Sequence, residues 1–190
     1  MTTRPGRLSI DPSTRPGWAV YHPEYGYRWE RAKIEGKGAW RTINFRRHFV
    51  KIIDMYDIGL VAVELPPPNP NIQRSEAALE AIYTLSGAAK EVPLLKGLPE
   101  AITYLPTQWR SKFFPSGWMK VPDELKNDEQ RRRRRLKDLA ISECQKRGWD
   151  VKYDDEADAL GILEALRIDT EPGYGFEHGR SGKHQVEMFA

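Results

Sequence analysis

The pattern of apolar and polar residues divides the chain into short elements. Arg7-Leu8-Ser9-Ile10-Asp11 alternates polar and apolar positions and runs into Pro12, Ser13 and then Pro16-Gly17, which predicts a strand ending in a tight turn. Trp18 to Tyr21 and Tyr27 to Glu30 flank His22 to Gly26, so two more strands surround a turn and the chain opens as a three-stranded meander. From Trp40 to Ile58, the positions Ile43, Phe49, Val50, Ile53 and Met55 recur at mixed three- and four-residue steps, predicting an amphipathic helix. Leu60 to Leu65 is nearly all apolar and is stopped by Pro66-Pro67-Pro68, as in a central strand covered on both faces. A second helix is expected from about Gln73 to Glu91, with Ala77, Ala78, Ile82 and Leu85 on one side, and a short strand from Ala101 to Leu105 stops at Pro106. The polar stretch from Pro115 to Asp128 reads as a mobile loop. A helix from about Glu129 to Arg147 carries the stripe Leu136, Leu139, Ala140 and Cys144, and a last helix runs from about Asp155 to Ile168. Glycine-rich, weakly apolar sequence follows, so 169–190 is expected to be a flexible tail. This order predicts an α/β protein, a mixed sheet covered by helices, in one domain over 1–168.

Length and composition agree with that. A chain of 190 residues with 39% hydrophobic and 30% charged residues builds one core without staples. The single Cys144 excludes an internal disulfide and a cysteine zinc site, and His22, His48, His178 and His184 add no ligand spacing. No apolar run approaches the roughly 18 residues of a spanning helix, and the first ten residues lack the apolar core of a signal peptide; a cytoplasmic protein is expected. Charge changes the picture more. The net +3 hides segregation: residues 1–60 carry eleven Lys/Arg against six Asp/Glu and residues 110–147 twelve against six, whereas 148–190 carry four against ten. Two basic blocks point to a polyanion, and the acidic block to a solubilising tail or a cation site.

Three acidic stations bear on that choice. Asp11 ends one strand, Glu64 ends a nearly continuous apolar strand, and Asp155 and Asp158 open a helix three residues apart, on one face. A carboxylate at the end of a buried strand needs a partner, either Lys or Arg or a divalent cation. Singly, each has a plainer reading: Asp11 before Pro12 as a turn former, Glu64 as half of a salt bridge, and the acids of 154–158 as partners of a helix dipole. Converging on one sheet edge, four carboxylates would match two magnesium ions, hard cations that favour oxygen ligands, and two-metal sites catalyse in-line phosphoryl displacement.

The stretches that hold these stations also carry a resemblance. Ile10-Asp11-Pro12-Ser13-Thr14-Arg15-Pro16-Gly17-Trp18-Ala19-Val20, then Val61-Ala62-Val63-Glu64, then Asp155-Glu156-Ala157-Asp158-Ala159-Leu160-Gly161-Ile162 resemble the RuvC-like Holliday-junction resolvases of the ribonuclease H-like superfamily. Tyr104-Leu105-Pro106-Thr107-Gln108-Trp109-Arg110, followed by Gly117, is similar to that family's pattern of Pro, basic residue and Gly before a basic helix. The resemblance spans about residues 7–168. It implies a ribonuclease H-like five-stranded mixed sheet with helices on both faces, and metal-ligating, catalytic carboxylates at Asp11, Glu64, Asp155 and Asp158. It further implies a homodimer that resolves four-way or other branched DNA by paired nicks. The implied chemistry is magnesium-dependent two-metal hydrolysis, with manganese able to substitute, leaving 5′-phosphate and 3′-hydroxyl. Ser13 stands where family members usually have Gly, and Pro66-Pro67-Pro68-Asn69 where bacterial members place an aromatic residue. The stretch Trp118 to Gln130 is inserted, leaving Lys120 and the arginine run as candidates for the family's active-site lysine.

Arg131, Arg132, Arg133, Arg134 and Arg135 form the most basic stretch. At about 100° per residue they surround the helix axis, so a solvated helix end and phosphate contact are both readings. Arg110, Lys112, Lys120, Lys126 and Lys137 lie close by in sequence, and such crowding favours phosphate contact, which positions a duplex without reading its bases. Trp40, Trp109 and Trp118 are expected in the core, with base stacking as the alternative; Asp54 and Asp57 read as a surface pair. Gly182-Lys183-His184 lacks the glycine and the preceding strand of a phosphate loop. A ribonuclease H-type hybrid nuclease and a non-catalytic junction-binding protein are the competing functions, while a two-lobed sugar kinase or actin-like ATPase does not fit in this length.

Overall fold

The computed structural model describes residues 5–66, 76–114 and 128–175. Strands β1 (Gly6–Asp11), β2 (Gly17–His22) and β3 (Gly26–Arg31) are followed by helix α1 (Ala39–Met55) and strand β4 (Ile58–Glu64). Helix α2 (Glu76–Leu94), strand β5 (Ile102–Tyr104) and helices α3 (Pro106–Phe113), α4 (Glu129–Lys146) and α5 (Asp154–Thr170) complete the order. The five strands form one mixed sheet in the order β3-β2-β1-β4-β5. β1 pairs antiparallel with β2 and parallel with β4, and β4 pairs parallel with β5. The predicted meander and mixed sheet are thus both present.

Period-two alternation assigns the strand residues to two cores. Leu8 and Ile10 of β1 and Val61 and Val63 of β4 face Phe45, Phe49 and Ile53 of α1 and Leu85 of α2. On the other face, the fully buried positions that β2 and β4 present to α5, α3 and α4 are Ala19 and Ala62, with Tyr21 and Leu60 packing partly buried beside them. Small residues there let α5 lie close on the sheet, which explains why it is buried without a break from Glu156 to Arg167. Ser9, also on that face, donates a 2.6 Å hydrogen bond from Oγ to the carbonyl of Ala159 and ties the centre of β1 to α5. Two glycines make the approach possible. A Cβ on Gly17 would lie 1.9 Å from the Asp155 carbonyl oxygen, and one on Gly161 would lie 2.4 Å from the Trp109 ring.

Several boundaries differ from the sequence reading. α1 ends at Met55, because Asp57 adopts a left-handed φ of 44° and turns the chain so that Ile58 begins β4. α2 continues to Leu94; Pro93 sits in its last turn, where its carbonyl accepts from the Lys96 and Leu98 amides. Helix α3 was not expected. It starts with Pro106 at its first position, the Leu105 amide donates to Gln108 Oε1 at 2.7 Å, and Trp109 and Phe113, four apart, bury its inner face. α5 runs on to Thr170, and Tyr174 packs back beside it, 8% exposed. Trp109 is fully buried as expected, whereas Trp40 is 65% exposed, since α1 turns Phe45 and Phe49 inward and leaves its first turn outside the core. Asp54 pairs at the surface with Lys96. Trp118, Lys120 and Lys126, most of the expected 115–128 loop, and residues 176–190 of the expected tail lie outside the described residues. No helix among the described residues is long and apolar enough to cross a membrane.

Candidate metal centre

Because β1 and β4 are parallel neighbours, their C-terminal ends lie on one edge of the sheet. Asp11 and Glu64 each follow the Ile10–Val63 register pair by one residue. The start of α5 packs over the same edge through Gly17 and brings in Asp158. Asp11, Glu64 and Asp158 accordingly offer carboxylate oxygens that all lie within 4.8 Å of one another. Asp11 and Glu64 are partly accessible from the edge and Asp158 is buried beneath them.

The electrostatics of this cluster are unfavourable without a cation. Burial, then the charges of Glu64 and Asp158, hold the Asp11 carboxyl well above the usual carboxylate range. Burial and Asp158 push Glu64 up to about 8, against the pull of Arg110 and of the Trp109 indole N–H, which faces Glu64 without meeting hydrogen-bond geometry. Burial pushes Asp158 up to about 6 in spite of Arg110, whose guanidinium stands 3.7 Å away. The buried Asp158 Oδ1 has no hydrogen-bond partner. Crowded carboxylates with an orphaned buried oxygen fit a hard divalent cation such as magnesium or manganese; an all-oxygen donor set does not suit zinc.

Asp155 lies at the rim, outside the group of three. Its carboxylate is 3.9 Å from Arg31, whose guanidinium covers the Tyr153 ring at 3.8 Å, and burial followed by Asp154 raises its pKa. Asp154, against the effect of burial, is held below its usual value by a hydrogen bond from Lys137. Three cations, Arg31, Arg110 and Lys137, thus stand against the acids of α5.

Solved structures with this arrangement of elements are known. One of Thermus thermophilus RuvC in complex with a Holliday junction substrate matches with a TM-score of 0.61 at 15% identity, over 89% of this chain and 96% of that one. A second T. thermophilus RuvC structure matches with a TM-score of 0.58 at 16% identity, over 87% of this chain and 97% of that one. This chain has a RuvC-type fold. No known protein family's profile and no curated protein matches its sequence. The RuvC-type architecture is therefore carried by a sequence only 15–16% identical to these two chains.

On that fold, the basic residues singled out in the sequence occupy different places. Arg110 lies against Asp158 and over the Trp109 ring, and Lys137 reaches Asp154. Lys112 turns away to bond Asp169. Arg131, Arg134 and Arg135 are exposed and Arg132 and Arg133 half-buried, with Arg131 paired to the N-capping Asp128 of α4. The sequence reading missed Arg31 and the placement of Trp109 beside Glu64. Strand register held the first signal, since Arg31 pairs with Gly17 and Gly17 with Asp11. The second lay in the spacing of Trp109 and Phe113 behind Pro106.

Proposed function

We propose that the protein is a magnesium-dependent endonuclease that resolves four-way or other branched DNA, acting as a homodimer in the cytoplasm. The observation that carries this reading is the Asp11, Glu64 and Asp158 cluster on the edge of a RuvC-type sheet, with a buried Asp158 oxygen left without a partner. Asp11, Glu64 and Asp158, joined by Asp155 from the rim, hold two magnesium ions, for which manganese substitutes. Bound there, the ions supply Lewis-acid stabilisation of the attacking and leaving oxygens of an in-line displacement. Water adds to phosphorus as the bond to the 3′ oxygen breaks, leaving 5′-phosphate and 3′-hydroxyl. Arg110, with Lys137 beside it, offsets the negative charge that the acids and the phosphate bring together. The arginines of α4 contact backbone phosphates and fix the arm, which makes affinity steeply salt-dependent.

A cleavage assay tests the reading. With a mobile four-way junction and magnesium, the wild-type protein is expected to give symmetric paired nicks, and Asp11→Asn protein none. Equal cleavage by the variant, or cleavage of an RNA–DNA hybrid in preference to the junction, would overturn it.

A further inference from the structure

The turn between β3 and α1 is left unused by the function proposed above. Arg31 at the end of β3 pairs in register with Gly17, and Gly17 with Asp11, so the chain leaves β3 on the sheet edge that carries the acids. The Ala32 amide extends that pairing by donating to the Pro16 carbonyl at 2.8 Å. The turn that follows is pinned to α1: Arg41 Nε donates to the Gly36 carbonyl at 3.0 Å, and Asn44 Nδ2 to the Glu35 carbonyl at 3.2 Å. Gly36 and Gly38 take left-handed φ values of 97° and 51°, and a Cβ on Gly36 would lie 3.3 Å from the Trp40 Cβ. From this ordered turn Trp40 projects with 65% of its surface exposed. Lys33 and Lys37, exposed, precede it in the same turn and Arg47 lies further along α1, while Glu35 is the one acidic residue between Ala32 and Arg47.

An isolated exposed aromatic asks for no explanation. Here an exposed indole opens α1 directly after a turn that carries two exposed lysines, at the edge where Asp11 and Glu64 lie. An aromatic platform flanked by positive charge is how single strands are held, by stacking on a base face and contacting the phosphates beside it. A base inside a duplex has both faces covered by its neighbours; one at a strand exchange has a free face.

Resting on the nuclease reading, we infer that Trp40, with Lys33 and Lys37, is a second nucleic-acid contact whose occupant is a strand with an unstacked base. The indole stacks on that base and the lysines take the adjoining phosphates. α1 covers the face of the sheet opposite α4, so the acid cluster lies between this contact and the arginines. A branched substrate would be gripped on both sides of the scissile phosphate, whereas a linear duplex would engage the arginines alone.

Equilibrium binding of the full chain to a labelled four-way junction and to a linear duplex of one arm sequence, without divalent cation so that both stay intact, tests this. Trp40→Ala is expected to weaken junction binding by about 5- to 100-fold and duplex binding less than about twofold, while Trp40→Phe keeps most of the affinity. The exposure of Trp40 leaves the core intact in both variants, and circular dichroism checks that they fold. Unchanged junction affinity in Trp40→Ala, or equal losses on both DNAs, would overturn the inference and leave the nuclease reading standing. A wild-type protein that binds neither DNA would overturn both.

Discussion

α5 carries buried carboxylates at two levels, and the two are satisfied differently. Near its middle, Glu164 is 2% exposed and its oxygens accept from Tyr27 at 2.5 Å, from Tyr174 at 2.8 Å and from Arg147 at 3.1 Å. Arg147 also bonds Glu143 and the Phe113 carbonyl, and Arg167 bonds Glu171 and Tyr27, so each charge in this distal network has partners within the protein. Two turns earlier, Asp158 is buried with one oxygen unpartnered, and it crowds Asp11 and Glu64. Where the fold needs a buried acid for cohesion, it supplies donors. Where it leaves acids to repel one another, the partner proposed above is a cation. The distal network holds α5 against β3 and the residues after Thr170; the proximal cluster has no comparable set of donors among the described residues.

The largest expected effect removes the proximal charge. Asp158→Asn should lower junction cleavage at least about 1,000-fold, while raising the metal-free melting temperature by a few degrees as like-charge repulsion falls. A parallel loss of stability would erase the contrast between the two levels. Glu164→Ala should do the reverse. It strips Arg147, Tyr27 and Tyr174 of their acceptor and should cost about 3–5 kcal/mol in a denaturant melt, with cation binding by the folded fraction unchanged. Gly161→Ala sharpens the comparison from between the levels. Its Cβ would press on the Trp109 ring, costing about 1–3 kcal/mol and shifting Arg110 relative to Asp158, so cleavage per folded molecule should drop as well.

The pH dependence has a definite sign. Glu64 titrates at about 8 in the fold against 4.5 ordinarily, and Asp158 at about 6 against 3.8. For acids raised by folding, the unfolded chain ionises first. The stability linked to these groups is therefore fully present below about pH 4 and is lost as pH rises to about 8. Without divalent cations the melting temperature should fall steadily between pH 5 and 8, and magnesium should flatten the slope. A slope that magnesium leaves unchanged would mean that these acids do not meet the ion.

How much of this the sequence displays depends on the range of the interactions. The strands and long helices repeat with periods of two and 3.6, and a carboxylate that ends an apolar strand, such as Glu64, marks itself. Asp11 and Glu64 could be singled out for that reason, and Asp155 and Asp158 by their shared face at a helix start; the parallel β1–β4 pairing brings the first two together. Helix α3, eight residues long, offers only the Trp109 and Phe113 pair as a signal. The exposure of Trp40 depends on which face of α1 meets the sheet. The distal network joins Tyr27 to Glu164 and Tyr174 across well over a hundred residues, a proximity that no local pattern encodes.

The central claim is that Asp11, Glu64 and Asp158 form a divalent-cation site. Titration of manganese into the wild-type protein and into Asp158→Asn protein, followed by electron paramagnetic resonance of the free ion, tests it without DNA or turnover. The account predicts saturable manganese uptake by the wild type and its loss, by tenfold or more in affinity, in Asp158→Asn. Equal uptake by the two proteins, or none by the wild type, would contradict it.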